Sequence, residues 1–442
     1  MRRYLTLPNI IYFILISILL NSYMLIKRSP YSLIWIIPLF VLLNLLAGMR
    51  PRGTKKLRIR VCNHGAVLLT LFTLSLIPSL IWHILLAIHT LPGAYTDLLF
   101  SALFCILASA LLFCNGILCV YCTSSQMGIK WRVIGALCGM IPILNLIVLA
   151  NIIRVAANEV AFEIQKERVA RDPVLATACS TKYPIILVHG IFFRDNTLFN
   201  YWGRIPQTLQ LYGATIYYGQ HQSALTVRES ARELTARIKL IVERSGCEKV
   251  NIIAHSKGGL DCRYAISELG LAPYVASLTT INTPHRGCIF AENLLHKTPE
   301  KIKNSIASAY NATLRELGDE TPDFLAAVRD LTANACKERN EKLTCPAEIY
   351  TQSVGSVMSH ARKGQFPLNV TYRYVKGFDG ENDGLVGEAS FAWGEKYTLL
   401  RTNGKRGISH ADIIDLTRRT LRDFDVLAFY TDLVRDLCQR GL

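Results

Sequence analysis

The first 153 residues of this 442-residue chain almost lack acid. Asp97 is the one carboxylate there, against 12 Lys and Arg, and the other 32 acids and 37 bases fall in residues 154–442. A soluble folded surface mixes both signs, so an ordinary soluble domain is excluded over the first third. The bases sit between long apolar runs rather than on one face, which sets nucleic acid aside as a partner despite the net charge of +16. Metal-ligand spacing is also missing, because none of the 13 cysteines pairs with histidines in the pattern of a zinc site. No internal repeat or low-complexity tract occurs. Cys62, Cys105, Cys114, Cys119, Cys122 and Cys138 lie in or beside the apolar runs, where a small polarizable side chain packs. Cys336 and Cys345 flank a polar segment and are the candidate disulfide.

What is present, at 51% apolar composition, is a series of long apolar runs. They cover about Leu5 to Ile26, Tyr31 to Gly48, Ala66 to His89, Leu98 to Cys122 and Val133 to Ile153. Each approaches or exceeds the roughly 20 residues that a helix needs to cross a bilayer. Pro38, Pro78 and Pro142 fall inside them and are tolerated in spans, where neighbouring helices serve the freed carbonyls. The first run follows Arg2 and Arg3 like a signal peptide, but its length and the four later runs favour an uncleaved anchor. A helical transmembrane domain of about five spans is expected over 1–153, in a multi-pass cell-membrane protein. With the N-terminus inside, Arg2, Arg3, Arg50, Arg52, Lys55, Lys56, Arg58, Arg60, Lys130 and Arg132 are cytoplasmic, and only Lys27 and Arg28 lie outside. Five crossings under the positive-inside rule then put residues 154–442 outside the cytoplasm. The first two runs are separated by only a few residues, and a re-entrant hairpin formed by them, with the loss of one span, reverses that side.

Beyond the runs, Asn151 to Asp172 reads as a charged amphipathic helix ending at Pro173, giving a linker over 154–181. From Lys182 the pattern becomes short β-branched runs alternating with helical ones. Strands are expected at Ile185 to Val188, Thr215 to Tyr218, Lys249 to Ile253, Ala276 to Ile281 and Thr371 to Val375. Helices are expected at Val227 to Ser245 and Leu260 to Leu269. The alternation implies an α/β domain over 182–442, with a mostly parallel sheet covered on both faces.

The chemistry centres on Ala254-His255-Ser256-Lys257-Gly258, where a buried strand breaks into a helix start. A strained strand–turn–helix exposes its serine and admits only small residues two positions either side, here Ala254 and Gly258. A serine hydroxyl is a poor nucleophile without a base, and the base needs an orienting carboxylate. In the order acid then base, the candidates are Asp383 in Asn382-Asp383-Gly384-Leu385-Val386 and His410 in Ser409-His410-Ala411-Asp412. Alone, Asp383 reads as an ordinary turn aspartate and His410 as a surface histidine. His255 reads as structural, and His221, His285, His296 and His360 lack a partner in the right chain order. His189-Gly190 ends the first strand, so that the N–H of Ile191, with that of Lys257, can form an oxyanion hole.

With these stretches in hand, Tyr183 to Gly287 resembles the bacterial triacylglycerol lipases of the α/β-hydrolase superfamily. The resemblance rests on Pro184 to Gly190, Gly213-Ala214-Thr215, Lys249-Val250-Asn251, Ala254 to Leu260 and Thr279 to Gly287, with the Asn382 to Val386 turn and His410-Ala411-Asp412. It implies an α/β-hydrolase fold, Ser256 as nucleophile, Asp383 as acid, His410 as base, and Ile191 and Lys257 as oxyanion donors. It covers none of the first 180 residues. No cofactor for catalysis is implied. Some members hold a structural calcium through the aspartate matching Asp412 and a glutamine four residues on, which here is Leu416. A lid region corresponds to about 285–347, and its run Lys297 to Lys303 is more polar than a strongly apolar lid. The resulting expectation is a membrane-anchored serine ester hydrolase acting on a lipid or other acyl ester. A phospholipid deacylase or acyltransferase of the same fold, and an inactive membrane-bound binding module, are the alternatives.

Overall fold

The computed structural model describes residues 7–442 apart from 52, 91, 92, 94, 140, 142, 192–200, 317, 362–366, 405, 419, 420 and 422. Arg2, Arg3, Leu5, Arg52 and Pro142 therefore lie outside the described residues. The chain forms two compact units, Met1–Asp172 and Pro173–Leu442.

The first unit is all helical: α1 (Leu7–Leu20), α2 (Tyr23–Arg28), α3 (Leu33–Leu46), α4 (Leu57–Thr90), α5 (Tyr95–Thr123), α6 (Gly128–Cys138) and α7 (Leu144–Ala170). Among the described residues, three helices are long and apolar enough to cross a membrane: Leu57–His89, Tyr95–Thr123 and Leu144–Ala170. Leu7–Leu20 and Pro30–Leu46 are shorter apolar helices. Pro38 and Pro78 lie inside α3 and α4, as a span tolerates. Ile77, Leu80, Ile81, Leu99, Leu103 and Ile106 remain exposed on α4 and α5, an apolar surface suited to lipid rather than water.

The five expected runs are corrected in two places. The first is divided at Asn21–Ser22, where Ser22 Oγ and Asn21 Nδ2 donate to carbonyls of α1. The fifth is divided between Cys138 and Leu144, where Ile143 takes a left-handed φ of 67° and Asn145 donates to the Gly139 carbonyl. Residues 154–170 continue α7 without interruption rather than forming a separate linker, so the boundary between units falls at Asp172.

The second unit is a six-stranded, wholly parallel sheet in the order β2-β1-β3-β4-β5-β6. Its strands are β1 (Ile185–Val188), β2 (Ile216–Tyr218), β3 (Val250–His255), β4 (Val275–Ile281), β5 (Tyr350–Ser356) and β6 (Lys396–Leu400). The helices are α8 (Pro173–Ala176), α9 (Ile205–Leu211), α10 (Val227–Ser245), α11 (Lys257–Glu268), α12 (Ile289–Lys297), α13 (Glu300–Glu316), α14 (Phe324–Arg329), α15 (Ala333–Asn340), α16 (Leu368–Asp379) and α17 (Val426–Gln439). β1, β3 and β4 are buried along their whole length because helices cover both faces; β1 is wholly apolar, whereas β3 also carries Asn251 and β4 carries Ser277, Thr279 and Thr280. One face packs α9 and α17 through Leu209, Tyr430 and Val434. The other packs α10 and α11 through Leu234, Ile238 and Ile266. The chain lays β2 on one side of β1 and β3 on the other, so the C-terminal ends of β1 and β3 flank the point where the winding reverses, the usual place for a site in such sheets.

The strand expected at Thr371 to Val375 is instead the middle of α16. Its Thr, Tyr and Val residues favour strands individually, but Leu368, Tyr372 and Val375 are buried at helical spacing and Gly380 follows with a φ of 75°. The candidate disulfide between Cys336 and Cys345 does not form. Cys336 is buried with its thiol donating to the Pro284 and Asp330 carbonyls, while Cys345 is exposed, and every cysteine is a free thiol.

Candidate active site

β3 carries the chain straight into Ser256, which adopts φ 56° and ψ −132° and caps α11. A non-glycine residue is held in that region only where its surroundings over-determine it. Here the Ser256 N–H donates to the Ile281 carbonyl of β4 at 2.9 Å, continuing the ladder past the strand end. The turn after β1 presses against it. A Cβ on Gly190 would come within 2.8 Å of the Ser256 Cβ, and one on Gly258 within 2.4 Å of the His189 carbonyl. Both glycines are therefore required by close approach.

Asp383 and His410 come from loops that the sheet brings together. Asp383 follows α16, in a turn anchored to the chain beyond β5 by the Met358 N–H on the Asn382 carbonyl at 2.8 Å. His410 follows β6, held by the Ile408 N–H on the Val357 carbonyl. His410 Nδ1 lies 2.5 Å from Asp383 Oδ2, and the His410 N–H donates to the Asp383 carbonyl at 2.9 Å. Asp383 is fully buried, yet its charge is well served. Oδ1 accepts from the Leu385 and Val386 N–H groups at 2.9 and 2.8 Å, and Oδ2 also accepts from Asn282 Nδ2 at 2.6 Å. The His410 ring packs 4.4 Å, centre to centre, from that of His255, the residue before Ser256.

His255 itself is enclosed, with Nδ1 at 2.6 Å from the Tyr201 hydroxyl, which in turn accepts from the Gly190 N–H at 3.0 Å. Burial holds the His255 pKa well below the usual histidine value, so this ring stays neutral beside His410. Ile191 is buried directly after Gly190. The Lys257 N–H opens α11, where no carbonyl of the helix serves it. Sequence reasoning missed Asn282 and Tyr201. Asn282 stands within the Thr279 to Gly287 stretch and has a left-handed φ of 46°, but its partner is 101 residues away and leaves no local signal.

The Lys257 side chain was also unread, and it is almost wholly buried. Its ammonium donates to Ser230 Oγ at 2.8 Å and to both oxygens of Asp261 at 2.8 and 3.0 Å. Burial pushes the Asp261 carboxyl up to about 7 against the opposing pull of Lys257. Behind them, His221 stacks on His189 at 4.1 Å, and burial lowers the His189 pKa to about 4. Lys257→Met removes one member of a buried pair and leaves a carboxylate without its ammonium, which costs about 3–5 kcal/mol. The melting temperature should fall by on the order of 10 °C for a unit of this size. Lys257→Met combined with Asp261→Leu should recover most of the loss, and thermal unfolding of the three proteins checks this.

Asp412 does not fit a calcium ligand. Its oxygens accept from Arg406 at 2.8 and 3.0 Å and from the Ser409 N–H and hydroxyl at 3.1 and 2.6 Å. A guanidinium in that place repels a cation, and Leu416 offers no oxygen from its side chain. Among the described residues no group of three His, Cys, Asp or Glu could hold a metal ion.

Residues 285–347, expected from the resemblance to form a lid, contain α12 to α15 and are less polar than their lysines suggest. Ile302, Ile306 and Tyr310 line one exposed face of α13, with Ile289 and Leu294 exposed on α12. Asp379 at the end of α16 receives the Ile289 and Phe290 N–H groups at 2.9 and 2.8 Å and so fixes the start of α12. At the far end, Asp319 accepts from the Ser223 N–H and hydroxyl.

No family model matches the chain. A triacylglycerol lipase of Pseudarthrobacter phenanthrenivorans is 37% identical over 201 residues, covering 40% of this chain and 62% of that protein. The chain thus spans less than two thirds of that relative's length. A triacylglycerol lipase of Vibrio cholerae is 37% identical over 296 residues, covering 59% of this chain and 89% of that protein. Among solved structures, a mature Bacillus licheniformis lipase overlays with a TM-score of 0.44 and 21% identity, covering 57% of this chain and 92% of its own.

Proposed function

Because this chain belongs to the triacylglycerol lipase family and its second unit is a helix-covered parallel sheet, we propose that it is a membrane-anchored serine hydrolase of carboxylic esters, of the α/β-hydrolase fold, that acts on lipid. The observation that carries this reading is the buried Asp383–His410 pair at 2.5 Å, with the His410 ring laid against the residue preceding strained Ser256.

In this reading His410 Nδ1–H donates to Asp383, which leaves Nε2 free to take the Ser256 proton as Oγ attacks the ester carbonyl. The oxyanion that forms accepts from the N–H groups of Ile191 and Lys257, each worth a few kcal/mol in the transition state. Collapse expels the alcohol, which takes the proton from His410. Water then releases the acid by the same steps in reverse order. Asp383 holds the His410 ring in place throughout, with four donors fixed around its carboxyl oxygens. The long apolar helices of the first unit would anchor the chain in a bilayer and hold the site near lipid.

Fluorophosphonate treatment of the folded full chain tests the reading. A single adduct is expected on the peptide containing Ser256, found by mass spectrometry and blocked by an ester substrate. A folded protein that takes up no probe, or takes it up elsewhere, would overturn it. Product analysis with and without an alcohol acceptor distinguishes hydrolysis from acyl transfer.

A further inference from the structure

We infer that the fifth apolar run does not cross the bilayer but enters and returns as a helical hairpin, so that the second unit follows on the cytoplasmic side. The substrate would then be ester lipid of the cytoplasmic leaflet. Only this last step rests on the ester-cleaving reading; the side rests on the first unit alone.

Three rungs define the hairpin. At its open end the Gln126 N–H, just before α6, donates to Glu159 of α7 at 3.1 Å. Midway, Gly135 of α6 faces Ile152 of α7, 3.0 Å from where a Cβ on the glycine would sit. At its closed end Asn145 Nδ2 lies 3.4 Å from the Gly139 carbonyl. The paired numbers fall as the partner numbers rise, so α6 and α7 run antiparallel. α6 has 11 residues, about 16 Å of rise, and α7 rises about 22 Å from Leu144 to Glu159. Measured from the level of Glu159, neither limb spans the roughly 30 Å of hydrocarbon, although α7 as a whole, 27 residues long, continues past that level.

Glu159 marks the level at which the hairpin opens. Its buried carboxylate accepts from Arg58 at 2.5 Å, Ser124 Oγ at 2.6 Å, Ser125 N–H and Oγ at 3.1 and 2.9 Å, and Gln126. The start of α4, the end of α5 and the start of α6 therefore meet in one polar layer. α7 continues outward from it, with Lys56 on Glu163 at 3.1 Å and Thr54 on Glu167. Polar contacts on the far side run from Ser79, eleven residues before the end of α4, to Asp97 near the start of α5. There Asn21 donates to Ser79 at 2.9 Å, and Lys27 pairs with Asp97. Twenty-one residues of α4 separate Arg58 from Ser79, about 32 Å, which is the thickness of a hydrocarbon core.

The chain thus leaves α7 in the layer of Arg50, Lys55, Lys56, Arg58 and Arg60, joined by Lys166, Arg168 and Arg171. The opposite layer has Lys27, already paired, and Arg28. The positive-inside rule makes the first layer cytoplasmic, whatever the number of crossings before α4. The 13 free thiols are consistent with a reducing compartment.

The test fuses green fluorescent protein, or in parallel alkaline phosphatase, after Leu442 of the full chain and expresses each in bacteria. Membrane-bound fluorescence with inactive phosphatase is expected, because the first folds well only inside and the second only outside. Active phosphatase with a dark fluorescent partner would overturn the inference. As a second measurement, protease added to spheroplasts should leave the second unit intact until the membrane is permeabilised, and digestion before that step also overturns it. Fluorophosphonate labelling of the same fusions separates the two readings. A fluorescent fusion that takes up no label fails the ester-cleaving reading and upholds the side. A labelled fusion with active phosphatase does the opposite.

Discussion

Asp383→Asn is expected to lower kcat for ester cleavage by about 10⁴-fold with little change in KM. The geometry dictates how. Asp383 Oδ1 accepts two loop N–H groups, so the asparagine must keep its carbonyl oxygen there and turn its NH₂ to where Oδ2 stood. That amide then meets His410 Nδ1 and the Asn282 amide, at positions where the carboxylate accepted from both. His410 can pair with the new donor only by moving its proton to Nε2, the nitrogen that must receive the Ser256 proton. The base is blocked by the wrong tautomer without leaving its place. Two amide donors also face each other across Asn282, which removes about 1–3 kcal/mol of stability. Steady-state kinetics on a short-chain chromogenic ester check the first effect and thermal unfolding the second. A variant within tenfold of the parent in kcat would remove Asp383 from the reaction. Replacing Asn282 as well, by Asp, should restore stability more than activity, since it supplies an acceptor to the new amide and does not restore the tautomer.

The parts of this site that could be read from sequence are those whose constraint is local. The elbow is legible because Ala254 and Gly258 flank Ser256 by steric necessity, and the acid because a strong turn sequence surrounds it. β1 and the Ile252-Ile253-Ala254 part of β3 are legible because burial on both faces favours apolar residues, and β4 because β-branched residues dominate it. What escaped depends on contacts across long separations. Asn282 supports Asp383 from 101 residues away, and Tyr201 joins Gly190 to His255 through one hydroxyl. The middle of α16 reads as a strand in sequence because Thr371-Tyr372-Arg373-Tyr374-Val375 has strand-forming side chains on either side of a base, and only the burial of Leu368 with Tyr372 and Val375 reveals the helical period. β5 and β6 passed unread because polar residues dilute them. Ser353 and Thr351 are tolerated in β5 since Ser353 Oγ donates to the Trp393 carbonyl and Thr351 Oγ1 accepts from the Glu395 N–H. In the first unit, hydropathy counted the fifth run as continuous. The break at Ile143 is a backbone event, and the carboxylate that reveals the hairpin, Glu159, lies beyond the apolar window.

Ser256→Ala and Ser256→Gly should both reduce kcat by about 10⁶-fold, because neither leaves an oxygen to attack, and yet they should differ in stability. The residual rate would come from the oxyanion donors and substrate binding alone, which survive in both variants. Ser256 sits at φ 56° and ψ −132°, a region where a Cβ is strained at a cost of order 1–3 kcal/mol. Alanine keeps the Cβ and hence the strain. Glycine removes it, against a gain in unfolded-state freedom of roughly 0.5–1 kcal/mol that offsets part of the benefit. Glycine should therefore unfold at or above the parental temperature, and above alanine. Thermal unfolding of the three proteins beside their kinetics measures both quantities. Should glycine prove clearly less stable than alanine, the strain at Ser256 would not be stored energy, and the elbow's backbone would have to be explained by local sequence alone.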